Sequence, residues 1–181
     1  MKVTYISGSP RKNSNTDYLL KLALSITGGK FIKLTDYNIK PCNSCRKCLE
    51  MSKCTINDDF NKKLVPLLRE SDGFVLGSPV YFNNVSAQLK SFIDRTWSLR
   101  GQLKNKIGGA IVVGRKYGLE SAITAITSFF LKHEMIPANR GVCGIAFMER
   151  EIIKDIESIE STKKLGKRIL ELWNLLKSTN K

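Results

Sequence analysis

Five short apolar runs constrain the fold more than anything else in this chain: Val3 to Ser7, Lys30 to Leu34, Gly73 to Gly77, Ile107 to Gly114 and Val142 to Phe147. They are rich in β-branched residues, yet none shows the apolar/polar alternation of a half-exposed strand. That absence predicts strands buried on both faces of a parallel sheet. The stretches between them have helical period. Leu19, Ala23 and Ile26 share one face of the first; Val85, Leu89, Phe92 and Ile93 mark another; Ile123, Ile126, Phe130 and His133 mark a third. A last helical stretch carries Ile152, Ile156 and Ile159, then Leu165, Ile169, Leu172 and Leu176, with a break expected near Ser161. Five strands alternating with five helices predict a single α/β domain over residues 1–181, with right-handed crossovers that lay helices on both faces. A chain of 181 residues buries enough core to need no disulfide staples. One long irregular stretch remains, Asp36 to Asn57, and loops of that length in compact domains are mostly functional or disordered.

The first strand runs into "SGSPRKNSNTDYLL", where Gly8 permits a tight turn, Pro10 stiffens it, and Ser14 with Asp17 makes a capping-box-like helix start. Free N–H groups at a helix N-terminus, with donors on Ser9, Arg11, Ser14, Asn15 and Thr16, offer a cradle to a phosphate. An ordinary polar βα loop with an N-cap accounts for the same residues. The loop is neither the G-x-x-x-x-G-K-[ST] of nucleotide hydrolases nor the G-x-G-x-x-G of dinucleotide folds, which weighs against ATP and against NAD held in a Rossmann site.

"SGSPRKNSNT" resembles the phosphate loop of the flavodoxin-like FMN reductases, and "GSPVYFNNVSAQLKSFIDR", residues 77–95, resembles their second flavin segment. The resemblance covers most of the chain. It implies a flavodoxin-like, doubly wound sheet of five parallel strands in the order 2-1-3-4-5, with FMN beyond the strands' carboxyl ends. It places the FMN phosphate on Ser9, Arg11, Ser14, Asn15 and Thr16, and the ribityl chain and ring along Pro79, Val80, Tyr81, Phe82 and Asn83. A third segment, "GRKYGLES", falls where that family supplies a loop to the flavin's other side, which implies roles for Gly114, Arg115 and Tyr117. Here the sequence departs from the family's glycine-rich form. A cation on Arg115 or Lys116 near the ring would stabilise an anionic reduced flavin; a charged loop in solvent is the plainer reading.

"PCNSCRKCLEMSKC" sets Cys42, Cys45, Cys48 and Cys54 in a C-x2-C-x2-C-x5-C pattern. Three thiolates at two-residue intervals can each take one iron of a cubane, and a fourth soon after can close the last corner. Structural zinc sites more often draw cysteine pairs, or pairs with histidines, from separated segments, and the only histidine is His133. An empty, redox-active or zinc-bound loop remains a possible reading of the same residues. The spacing resembles the compact cysteine motif of the iron-sulfur flavoproteins, a branch of the same superfamily, which implies a [4Fe-4S] cluster after the second strand. Cys143 reads as a core thiol, Asn57 or Asp58 as a helix cap, and Phe92 and Trp97 as core packing.

The formal charge of +14 favours an acidic partner, although lysine-rich solvated helix faces explain it more simply. No aromatic stripe interleaved with Arg/Lys and no helix-turn-helix pattern appears, so nucleic acid is not expected. No apolar run nears the ~20 residues of a membrane span. "KVTYIS" is too short for a signal-peptide core, which points to the cytoplasm, where clustered thiols bind metal or do redox work. The resemblance implies an acidic, ferredoxin-like electron donor, an acceptor such as oxygen, peroxide or a quinone, and a homodimer or homotetramer. An NAD(P)H-dependent FMN or quinone reductase without a cluster is the second reading. A basic, non-enzymatic module that binds nucleic acid or a protein partner is the third and least favoured.

Overall fold

The computed structural model describes residues 1–178. Strands β1 (Val3–Ser7), β2 (Lys30–Lys33), β3 (Gly73–Tyr81), β5 (Ile107–Gly114), β6 (Ile136–Pro137) and β7 (Val142–Ile145) form a parallel sheet, and β4 (Asn84–Val85) folds back antiparallel on the end of β3. The helices are α1 (Asn15–Thr27), α2 (Cys48–Met51), α3 (Val65–Glu70), α4 (Ala87–Arg95), α5 (Leu119–Lys132) and α6 (Ile156–Ser178). Sheet order is β2-β1-β3-β5, with β6 and then β7 sharing the far edge of β5. Counting β6 and β7 as one interrupted position, this is the flavodoxin-like 2-1-3-4-5 order.

Alternate residues of each strand feed two cores, as burial on both faces requires. Val3, Tyr5, Val75, Ile111 and Val113 pack beneath α1 and α6 with Leu19, Ala23, Leu165 and Ile169. Ile6, Leu76, Ala110 and Val112 pack on the opposite face with Leu68, Leu89, Phe92, Ile126 and Phe130.

The structure corrects several boundaries. Strand β3 continues four residues past Gly77, because β5 still pairs with it through Pro79↔Val113 after β1 has ended at Ser7↔Gly77. Proline, lacking an N–H, is tolerated where one flank of a strand has lost its neighbour. The last helix is unbroken at Ser161. Ser161 lies in mid-helix, where neighbours at i±4 hold the ladder; the break falls earlier, between a 3₁₀ turn at Glu151–Lys154 and Ile156.

His133 ends α5 rather than lying within it, and it is only 4% exposed. Its Nε2 lies 3.0 Å from Thr96 Oγ1, while Nδ1 has no partner among the described residues. Burial lowers its pKa. Between the unfolded value of about 6.5 and the lower folded value, the unfolded chain binds more protons, so stability present at neutral pH is lost on acidification. We expect unfolding free energy to fall by up to about 1.4 kcal/mol per pH unit as pH drops below about 6.5, measured by urea unfolding. His133→Gln is expected to flatten that slope.

Candidate functional site

At the carboxyl ends of the strands, a cavity of about 260 Å³ opens between the β1–α1 turn, the end of β3 and the end of β5. The turn reaches it by a close crossing. Gly8 N–H donates to Gly77 O at 2.8 Å, and a side chain on Gly8 would collide with Leu89 and Ser86. Ser14 is the N-cap of α1 and its hydroxyl accepts from Asp17 N–H at 3.1 Å. The N–H groups of Asn15 and Thr16, first in the helix, have no carbonyl a turn earlier to bond and remain available to an anion.

The capping box is only half made. Asp17 is buried, and its carboxylate accepts from the Ser7 hydroxyl and from Lys33 Nζ at 2.7 Å instead of turning back to Ser14. Lys33, which also donates to the Arg11 carbonyl, cancels the one carboxylate beneath the turn. Sequence reading missed Lys33, since nothing local ties a residue at the end of β2 to Asp17 in α1, sixteen positions earlier.

Ser9, Arg11, Ser14, Asn15, Thr16, Pro79, Val80, Tyr81, Gly114 and Arg115 all line this cavity, and Val113, Ala146 and Phe147 complete it. The segment after β7 was not foreseen. Arg11 Nη1 donates to Phe147 O at 3.2 Å, the Asn15 side-chain amide donates to Met148 O at 2.8 Å, and the Arg115 guanidinium stacks on the Phe147 ring at 4.9 Å. The Glu151 carboxylate gathers the loop by accepting from Phe147 and Met148 N–H, and those two donors hold its pKa below the usual carboxylate range. Asn15 therefore has its side-chain amide engaged and its backbone N–H facing the turn.

Phe82, Asn83 and Tyr117 do not line the cavity. Phe82 and Asn83 are the two left-handed residues (φ 49° and 61°) of the tight turn joining β3 to β4, and that geometry throws the Phe82 ring fully into solvent. Tyr117 is 77% exposed in the loop between β5 and α5. Gly118 (φ 75°) lets that loop press against Asn83, where a Cβ would stand 2.5 Å from the Asn83 Cα.

A second, much smaller cavity of about 30 Å³ is lined by all four loop cysteines, with Thr55, Arg95 and Trp97. Left-handed backbone at Ser44 and Arg46 bends the loop between the first three cysteines. Ser44 N–H donates to Cys42 Sγ at 3.4 Å, Cys45 Sγ lies 3.7 Å from Thr55 Oγ1, and Arg95 Nε–H donates to Cys54 Sγ at 3.2 Å. A hydrogen bond from Lys47 N–H holds the Cys45 thiol below its ordinary pKa, and Thr55 adds to this. Among the described residues no three Cys, His, Asp or Glu side chains converge on one point as ligands of a single metal ion do. A cubane takes one thiolate at each iron, so its ligands ring a volume instead of meeting at a point. The cavity itself has about the room of one water, and Cys42 and Cys45 stand exposed at its outer side; what fits a cubane is the donor set, four thiols lining one space.

Both ends of this loop are clasped by a buried ion pair. Arg95 forks onto Asp58 (Nη1 to Oδ2 at 2.6 Å, Nη2 to Oδ1 at 3.0 Å), and both side chains are fully buried. Burial pushes the Asp58 carboxyl up, but the Arg95 fork and the Lys40 N–H outweigh it and hold its pKa low. Asp58 also accepts from Phe60 N–H, but the N-cap of the helical turn Phe60–Leu64 is Asp59, with no side-chain cap bond, and not Asn57 or Asp58 as expected, because the Asp58 carboxylate is committed to Arg95. Trp97, expected in the core, is 38% exposed beside the cysteines, flanked by Arg100 and Lys132. Phe92 is buried in α4, whereas Trp97, five residues on, turns outward on a 3₁₀ turn, Thr96–Leu99. Cys143 is half-buried, and burial raises its pKa.

A family model described as NADPH-dependent FMN reductase matches residues 1–149. An iron-sulfur flavoprotein of Methanocaldococcus jannaschii is 41% identical over 193 aligned positions, which cover 98% of this chain and 100% of that protein. An iron-sulfur flavoprotein of Methanosarcina thermophila is 31% identical, with 97% of each chain covered. Among solved structures, RosB with a bound 8-demethyl-8-formylriboflavin-5'-phosphate intermediate superposes with a TM-score of 0.79 at 14% identity, over 99% of this chain and 81% of that one. At that identity the likeness speaks to fold alone.

Proposed function

The chain belongs to the iron-sulfur flavoprotein branch of the NADPH-dependent FMN reductase family, and from that premise we propose that it holds FMN in the larger cavity and a [4Fe-4S] cluster on Cys42, Cys45, Cys48 and Cys54. It is a flavin-dependent oxidoreductase. In our reading it passes electrons from an acidic, ferredoxin-like donor to an acceptor such as oxygen, peroxide or a quinone. When bound, the cluster supplies single-electron exchange and the flavin stores two electrons.

The observation that carries this reading is the pairing of two cavities in one small domain: a phosphate-type turn past the sheet's end, and four thiols around one space. The protein's part is to bind and orient. The helix N-terminus and Arg11 receive the phosphate, with Asp17 kept from repelling it by Lys33. Pro79, Val80 and Tyr81 border the ring on one side and Gly114 and Arg115 on the other, where a cation favours a reduced, anionic flavin. Phe82, Asn83 and Tyr117 stand outside the cavity and act on the flavin, in this account, only from its rim. Cys42, Cys45 and Cys54 each accept from an N–H donor, an arrangement suited to thiolates bound to iron.

Exposed Lys40, Arg46, Lys47 and Lys53 surround the cysteines, and Arg100 and Lys132 flank Trp97 nearby. This positive rim suits an acidic donor. The family model's description favours a second reading, direct reduction by NAD(P)H. Anaerobic reduction kinetics separate the two. We expect a reduced ferredoxin to bleach the flavin, with a rate that falls steeply between low and physiological salt. Rapid bleaching by NAD(P)H with none by ferredoxin would overturn the donor assignment. No helix among the described residues is long and apolar enough to cross a membrane. Assembly as a homodimer or homotetramer belongs to the same proposal.

A further inference from the structure

Arg95 sits at the end of α4, 2% exposed, and its donors are all spent on the cysteine loop. Nη1 reaches Lys40 O at 2.7 Å just before the first cysteine, Nη2 reaches Ile56 O at 3.3 Å just after the last, both nitrogens grip Asp58, and Nε points at Cys54 Sγ. The guanidinium plane also lies 4.8 Å from the Phe60 ring centre. A clasp that only closed the loop would need the two carbonyls and the carboxylate. The Nε–H bond to sulfur is the contact that loop closure does not explain.

The opposite end of α4 is tied to the flavin side. Ser86 caps the helix, and its hydroxyl donates to Gly8 O at 2.7 Å in the phosphate-type turn. Nine residues, roughly 14 Å of helix, separate the two contacts. One rigid element therefore spaces the two cavities and carries the arginine.

We infer that Arg95 is a positioning residue for the cysteine site: it fixes Cys54 as the fourth ligand and, through the N–H···S bond and its buried positive charge, raises the reduction potential of what the thiols hold. A hydrogen bond and a cation at a ligating sulfur both favour the state with the extra electron. The flanking Asp58 offsets part of the charge but not the directed bond. This inference rests on the cluster reading above.

The test begins with iron and sulfide counts on wild-type protein purified without oxygen, which judge the cluster reading by itself. On iron-loaded wild type made with ¹⁵N-arginine, pulsed EPR of the reduced cluster is expected to resolve coupling to an arginine nitrogen; its absence would overturn the role of Arg95 while leaving the cluster reading intact. That experiment needs no folded variant. Arg95→Lys keeps charge and bulk at the buried site but cannot serve Asp58 and Cys54 together. It is expected to keep its FMN, release iron to a chelator about 10- to 100-fold faster, and show a more negative cluster potential. An unchanged potential and chelation rate would contradict the inference, since a merely structural clasp moves neither the potential nor the nitrogen signal.

Discussion

Cys48→Ser protein, purified without oxygen, is expected to be yellow with flavin and nearly free of iron and acid-labile sulfide. Cys48 opens α2 and is the most enclosed of the three closely spaced cysteines. A serine hydroxyl stays protonated near neutral pH and is a poor ligand for iron, so one corner of the cubane is lost and the remainder is left open to solvent. Loss of a structural ligand commonly reduces metal affinity by more than the 10- to 100-fold seen for outer-sphere partners, and intact cluster content should fall below about a tenth of wild type. The flavin cavity shares no lining residue with the cysteine cavity, so FMN content should change by less than about twofold, on the expectation that distant sites act independently. Iron and sulfide at wild-type levels would remove Cys48 from the ligand set. Parallel loss of flavin would mean the substitution had unfolded the domain.

Arg11→Ala is expected to weaken FMN by about 10- to 100-fold, the worth of a charge-assisted hydrogen bond, while riboflavin weakens by no more than about twofold. Only FMN carries the phosphate. Arg11 also donates to Phe147 O, so its loss loosens the loop that closes the cavity; that damage reaches both ligands equally and cancels in the ratio. Fluorescence quenching of each flavin on apoprotein gives the two constants. Equal weakening would assign Arg11 to loop closure alone.

What could be read in advance divides by sequence separation. Strands β1 and β5 announce themselves as apolar runs because each is buried on both faces, whereas the edge strand β2 is only partly buried and β7 leaves Ile145 exposed; the helix N-cap at Ser14 is visible because its partner lies three residues away. The two-residue β6, Ile136–Pro137, carries too little pattern to stand out, and Pro79 hides the true end of β3. The turn after β1 was legible as a group of polar residues because they all fall in one short segment, Ser9 to Thr16. Its supports were not: Lys33 beneath Asp17, Phe147 and Glu151 over the cavity, and Arg95 across the cysteine loop all act between segments that meet only once the sheet has formed. Phe82 shows the opposite failing. An aromatic beside the flavin segment was read as lining, whereas the left-handed turn that lets β4 pair with β3 points it outward. Trp97, expected in the core as a large aromatic, is carried outward by the 3₁₀ turn after α4.

Two redox centres on one chain is the central claim, and elemental analysis of oxygen-free protein tests it most directly. The account predicts iron and acid-labile sulfide each at about four per bound FMN. Stoichiometric FMN on protein that carries no iron under those conditions would contradict it and leave a flavin reductase whose four cysteines serve some other end.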